Sequence, residues 1–170
     1  MAIDNCRHSF QELVTNILPS HMKRMWDAIA NPLPMQGFAR KGIGPKSVLR
    51  RLGRKSDFAG CYVLLEGSCP IYVGISRTVV QRLLQHVKGK THFDASLAYK
   101  IASEKHIHGQ SREAAMADPA FKDEFEKAQH YLKSLDVAFI EIENDLELYL
   151  FEVYCTMELD TSNLNTFRTH

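Results

Sequence analysis

The sequence predicts an α+β protein: a small three-stranded antiparallel sheet flanked by helices. The expected order is β-β-α, a helical insertion, then β-α, behind an N-terminal helical extension. Three observations carry this. Two β-rich runs, Cys61–Glu66 and Ile71–Ser76, flank the turn-forming Gly67-Ser68-Cys69-Pro70. A third β-rich run, Val137–Glu143, follows only after a long stretch of helical periodicity. An apolar helix then begins near Asp145, completing the order of an α+β sandwich with a small antiparallel sheet.

The elements follow in order. Phe10, Leu13, Val14, Ile17 and Leu18 recur at helical spacing, Pro19-Ser20 interrupts, and Met22, Met25, Trp26 and Ile29 resume the stripe. Two short helices covering a core are expected, with Trp26 as a packing anchor. Residues 31–59 are punctuated by Pro32, Pro34, Gly37, Gly42, Gly44, Pro45 and Gly53 and read as a linker or arm. Within it, Lys41-Gly42-Ile43-Gly44-Pro45-Lys46 resembles the turn of helix-hairpin-helix modules, but Asn31-Pro32-Leu33-Pro34 breaks the helix that should precede it. The favoured expectation is a Gly turn before a basic helix capped by Ser47.

After the hairpin, a helix starting near Thr78 carries Val80, Leu83, Leu84 and Val87. Further helices are expected over Asp94–Ile107, Ser111–Ala117 and Pro119–Leu135. The last has Asp118 as cap, Pro119 in its first turn and Phe121, Phe125, Ala128 and Leu132 inward. In the final helix Asp145 is the expected cap. Leu146, Tyr149, Leu150, Val153, Tyr154 and Met157 form the expected apolar face. The expected organisation is 1–57 as N-terminal helices and basic Gly/Pro-rich arm, and 58–170 as the sheet-bearing domain with a helical insertion at about 91–135.

Composition narrows the class. With 170 residues, 45% hydrophobic and 24% charged, the chain can bury a sizeable core. No apolar run is long enough to span a bilayer, and Met1–Phe10 has no hydrophobic signal core. Cys6, Cys61, Cys69 and Cys155 form no CxxC pair and read as reduced thiols, so a cytoplasmic protein without membrane attachment is expected. The net charge of +1 conceals an uneven distribution. Residues 1–60 hold ten Lys/Arg against four Asp/Glu, and the remainder holds eleven against sixteen. The basic front, with Arg40, Lys41, Lys46, Arg50 and Arg51, suits either phosphate attraction or a solvated surface.

The candidate chemistry lies in an ordered set: Gly60-Cys61-Tyr62, Tyr72-Val73-Gly74, Arg82, His86, Glu152 and Asn165. Tyr62 and Tyr72 come to one edge of an antiparallel hairpin, and Arg82 and His86 share a helical face. Glu152 stands at the rim of an apolar stripe, where a carboxylate wants a partner such as a metal ion. Singly, each of these residues also fits packing or surface roles. His106-Ile107-His108 reads as a solvated helix end, and no GxSxG or P-loop is present.

As a set these residues resemble the GIY-YIG nuclease family. Gly60-Cys61-Tyr62 resembles its first motif, with Cys for the central Ile, and Tyr72-Val73-Gly74 resembles the second. Arg82 and His86 stand where the family's helix arginine and its four-residue companion stand. Leu148–Glu152 resembles the run ending in the metal-binding Glu, and Leu164-Asn165-Thr166 the closing segment. The pattern covers roughly 58–168. Many members carry Lys or Arg after the second motif's Gly; this chain has Ile75-Ser76, with Arg77 the nearest cation.

The resemblance implies a metal-dependent DNA endonuclease, by default a nickase, leaving 5′-phosphate and 3′-hydroxyl ends. Tyr62, helped by His86, would activate water, since a phenol with its usual pKa near 10 is a poor base unaided. Arg82 would hold the phosphate and Tyr72 would orient phosphate or water. Glu152 would bind one Mg²⁺ or Mn²⁺, and Asn165 would brace the site. DNA would be held by Arg77 and by the arm residues Arg40, Lys41, Lys46, Arg50 and Arg51. Two other classes stay open: a catalytically silent DNA-binding module of the same fold, and a protein-interaction adaptor using the acidic helical insertion.

Overall fold

The computed structural model describes residues 3–106 and 111–167. Its first elements are a 3-10 turn (Ile3–Asn5), α1 (Phe10–Glu12), a π-helical turn (Leu13–Ile17), α2 (Leu18–Ile29), β1 (Leu33–Pro34), α3 (Gln36–Ala39) and α4 (Pro45–Arg51). Then come β2 (Gly60–Glu66), β3 (Cys69–Ser76), α5 (Val79–Lys88), α6 (Ser96–Lys105) and α7 (Arg112–Ala117). The chain closes with α8 (Pro119–Ser134), β4 (Asp136–Glu141) and α9 (Asp145–Glu158). Packing divides it into two compact units. The first comprises Met1–Leu33, Asp57–Val79 and Asp136–His170; the second comprises Pro34–Ser56 and Val80–Leu135.

The first unit is α+β. Its sheet runs β1-β4-β2-β3, with β2 central and antiparallel to both neighbours. The expected three strands are therefore joined by a fourth, the two-residue β1. Pro34 is tolerated because β1 is an edge strand, where a missing N–H costs no ladder bond. The hairpin turn is shorter than expected. Gly67 takes a left-handed φ of 60°, the strands run to Glu66 and from Cys69, and Pro70 again sits on an edge. Between Leu64 and Leu65 the register shifts, leaving Ile71 as the extra residue of β3.

One face of this sheet is covered by α2 and α9. Leu18, Met22 and Met25 meet Cys61, Val63, Leu65, Val73, Ala138 and Ile140 of the sheet, and Leu148, Phe151 and Cys155 of α9. Two helical expectations need correction. Pro19 does not split the N-terminal helix: Leu18 N–H donates to Leu13 O across a π-helical turn, so Pro19 falls in the first turn of α2. The widened turn accommodates a residue that cannot donate to the preceding turn. Trp26 is 48% exposed while its neighbour Met25 is fully buried, so Met25 is the anchor.

The face of α9 is also corrected. Leu148, Phe151, Cys155 and Thr156 are buried, whereas Tyr149 and Met157 are 63% and 76% exposed. This helix is apolar nearly all round, so its own periodicity selects no face and tertiary packing decides. Asn144, not Asp145, caps it, accepting from Glu147 N–H; Asp145 occupies the first turn.

The second unit is helical. On α8, Phe121, Phe125, Ala128 and Leu132 are buried and the helix packs against α6. Asp118 caps it by accepting from Ala120 N–H. Segment 34–56 belongs to this unit rather than forming a free arm, because Met35, Phe38, Val48 and Leu49 are buried and Met35 N–H donates to Leu135 O. Grouping by packing thus cuts across the expected division at residue 57. Helix α4 begins at Pro45 with Gly44 at the N-cap, three residues before the expected Ser47 cap. Proline is pre-organised for the first helical position.

Candidate functional site

On β2, Cys61, Val63 and Leu65 face the core under α2 and α9, so alternation sends Gly60, Tyr62 and Leu64 to the opposite face. Tyr62 pairs with Gly74 on β3 and with Phe139 on β4, and Leu64 pairs with Tyr72. The two tyrosines are therefore diagonal neighbours on one face, with ring centroids 6.2 Å apart. Tyr62 is 1% exposed and Tyr72 half-buried.

Both motif glycines are required by close approach. A Cβ at residue 74 would meet the Tyr62 ring, its Cζ at 2.5 Å and its hydroxyl closer still. A Cβ at residue 60 would meet the Ile140 carbonyl. The glycine of the second motif thus makes room for the tyrosine of the first.

Asn165 is a brace on this hairpin. Strand β3 is a sheet edge, and Val73 there presents N–H and C=O outward. Asn165 Oδ1 accepts from Val73 N–H at 2.9 Å, and its Nδ2 donates to Val73 O at 2.8 Å. Buried Thr161 donates its hydroxyl to the same Oδ1 at 3.0 Å, which fixes the amide orientation. One side chain thereby replaces a missing strand beside Tyr72. Arg77, mostly exposed, pairs with Asp145 at 2.8 Å rather than standing free near the motif.

Glu152 is carried by the last helix, α9, which packs on the opposite, Cys61-bearing face of the sheet. Its carboxyl is half-buried and makes no hydrogen bond or ion pair among the described residues. Desolvation pushes its pKa above the ordinary carboxylate value. Burial raises the neighbouring Cys61 thiol well above its usual value too, helped by a hydrogen bond to Cys155 and by the charge of Glu152. Among the described residues no group of three or more His, Cys, Asp or Glu could hold a metal. Glu152 offers one carboxylate, which by itself does not define a metal site.

On α5, Arg82 is held by three acceptors of its own unit. Nη1 donates to Asp94 O at 3.0 Å and Gln85 Oε1 at 3.4 Å, and Nη2 donates to Ser96 Oγ at 2.6 Å. His86, one turn on, is fully buried. Desolvation, then the Arg82 charge, lowers its pKa to about 3, so its imidazole is neutral at pH 7. Arg40, Lys41, Lys46, Arg50 and Arg51 line the basic segment. Arg50 and Arg51 end α4, where cations favour the helix dipole, and Arg51 also donates to Gly37 O. His106 lies 3.7 Å from Asp118; Ile107 and His108 fall outside the described residues.

Sequence reading missed Cys155 as the partner of Cys61, and Asp94 and Ser96 as the holders of Arg82. Spacing carries no signal for any of them, because each arrives from a separate element. The class defined is an α+β protein whose central hairpin presents a glycine-spaced tyrosine pair on one face. No helix among the described residues is long and apolar enough to cross a membrane. Compared with known protein families, curated proteins and solved structures, the chain matches none.

Proposed function

We propose that this protein is a metal-dependent DNA endonuclease of the GIY-YIG type that nicks one strand. The supporting observation is the Tyr62–Gly74–Tyr72 assembly: both motif tyrosines share a face, and the motif glycine exists to admit the first ring. Water oxygen would bond to phosphorus, the P–O3′ bond would break, and the departing oxygen would take a proton. The products are a 5′-phosphate and a 3′-hydroxyl.

Tyr62 is the group proposed to accept the water proton. His86 is proposed as its helper, and being neutral down to about pH 3 it would not help by carrying charge. Tyr72 would orient the phosphate or the water through its hydroxyl, in a strand clamped by Asn165. Arg82 would contribute its guanidinium to the phosphate oxygens, pre-oriented by Asp94, Ser96 and Gln85. In this reading Glu152 would hold one Mg²⁺ or Mn²⁺, which when bound would supply charge neutralisation; its helix packs on the sheet face opposite the tyrosine rings, and Glu152→Ala decides whether it takes part.

The test is nicking of supercoiled plasmid with Mn²⁺ or Mg²⁺ by wild type, by wild type with EDTA, and by Glu152→Ala and Tyr62→Phe. Nicking that is lost with EDTA and in both variants, with DNA binding retained, is expected. Absence of cleavage by wild type that still binds DNA would instead indicate a silent binding module. Neither cleavage nor binding would indicate an adaptor.

A further inference from the structure

The second unit carries three adjoining clefts of about 630, 560 and 410 Å³. The first two share Ala39 and Lys133, and the last two share Lys88, Gly89 and Lys90. Arg40, Lys88, Lys90, Lys122 and Lys133 line these three neighbouring clefts, taken together as one groove, against only two acids, Asp94 and Glu126. Lys90, Lys122 and Lys133 make no salt bridge among the described residues.

The groove is built rather than incidental. Lys88 Nζ donates to Arg40 O at 2.8 Å and Ile43 O at 2.5 Å, which pins the 40–44 turn to the end of α5. Gln129 of α8 donates to Gly89 O at 2.7 Å, which pins the other wall to the same turn. Gly89 cannot bear a side chain, since a Cβ would meet Asp94 Cβ and Gln85 O, each at 2.6 Å. Three segments distant in sequence thus converge on Lys88-Gly89-Lys90 and hold lysines around a concave path.

We infer that this groove binds the phosphodiester backbone of the DNA substrate, with Lys90, Lys122 and Lys133 meeting phosphates and Lys88 as the positioning residue. A concave, poorly neutralised cationic path suits a polyanion, because each phosphate met releases condensed counterions. The inference rests on the nuclease reading for the identity of the polyanion. To Arg40, already expected to hold DNA, it adds a surface made by the end of α5 and the helical insertion.

The test is fluorescence anisotropy of a labelled DNA duplex with EDTA present, across a salt series. Lys90→Glu/Lys133→Glu and the milder Lys90→Gln/Lys133→Gln are compared with wild type and with Lys127→Glu. Lys127 is an α8 residue outside the groove, already paired with Asp123 and Glu124. Weaker binding is expected in both groove variants, with Lys127→Glu unchanged. The log–log salt slope should shrink by about 0.9 for each phosphate that is no longer neutralised. Equal affinity in wild type and groove variants, equal weakening by Lys127→Glu, or no DNA binding by wild type would each overturn the groove. So would tight binding of poly-glutamate in place of DNA, which would assign the path to an acidic protein. Plasmid nicking scored in parallel separates the two ideas. Cleavage with binding indifferent to the groove variants sinks only the groove, and groove-dependent binding without cleavage sinks only the nuclease.

Discussion

The ring of Tyr62 occupies the space that a side chain at Gly74 would fill. The two residues are cross-strand partners in the β2–β3 register, so one motif is sterically conditional on the other. The geometry ties the first motif's tyrosine to the second motif's glycine through packing, independently of any chemistry.

Gly74→Ala is therefore expected to destabilise the fold by about 1–3 kcal/mol, the usual cost of overpacking. Tyr62→Ala alone should cost about 3–5 kcal/mol, as for other large buried aromatics. Combined, the two should cost less than their sum, because the truncated ring no longer opposes the new methyl. Urea denaturation of the double-mutant cycle reads the coupling. Strict additivity would mean that the strand relaxes around residue 74 instead.

Asn165→Ala removes a donor and an acceptor from the free edge at Val73. A loss of about 1–3 kcal/mol is expected, together with faster amide hydrogen exchange at Val73 than at Val63. Exchange at Val73 that stays as slow as in wild type would show that another group satisfies that edge.

Acid should destabilise the native state through His86. Its folded pKa is about 3 against 6.5 for the free group, so the unfolded chain takes up the proton first. Stability from this group is constant above pH 6.5 and falls as pH drops towards 3, by on the order of 5 kcal/mol at the limit. His21 is lowered in the same direction, chiefly by burial, and adds to the loss. Thermal melts of wild type and His86→Gln between pH 7 and 4 provide the check. Parallel curves for the two proteins would remove His86 as the cause.

Burial raises the Glu152 pKa, and the sign follows. The stabilising contribution is whole below the free carboxyl value of 4.5 and is lost as pH rises through the raised one. Glu152→Gln should therefore melt higher than wild type at pH 7, with the difference vanishing near pH 4. Mn²⁺ or Mg²⁺ should raise the melting temperature of wild type and leave Glu152→Gln unmoved. A cation shift of equal size in both proteins would place any ion elsewhere.

Sequence alone determined what depends on neighbours in the chain. The hairpin, the buried stripe of α8, the Asp118 cap and the β-β-α-β-α order follow from periodicities and turn residues spanning a few positions. The spacing of Tyr62, Gly74 and Tyr72 was legible for the same reason, since a hairpin register converts sequence distance into cross-strand proximity. Tertiary structure decided the rest. The apolar surround of α9 offered two faces, and packing beneath Cys61 and Val63 chose Leu148, Phe151 and Cys155, leaving Tyr149 and Met157 to solvent. That choice carried Glu152 to the sheet face opposite the tyrosines. Segment 34–56 looked like an arm because glycine and proline mask its few apolar residues, yet Phe38, Val48 and Leu49 bury like any others once a partner surface exists. The clamp of Asn165 on Val73, the acceptors around Arg82 and the groove at Lys88 each join residues far apart in the chain. No local pattern encodes such pairs, because they form only where separate elements converge.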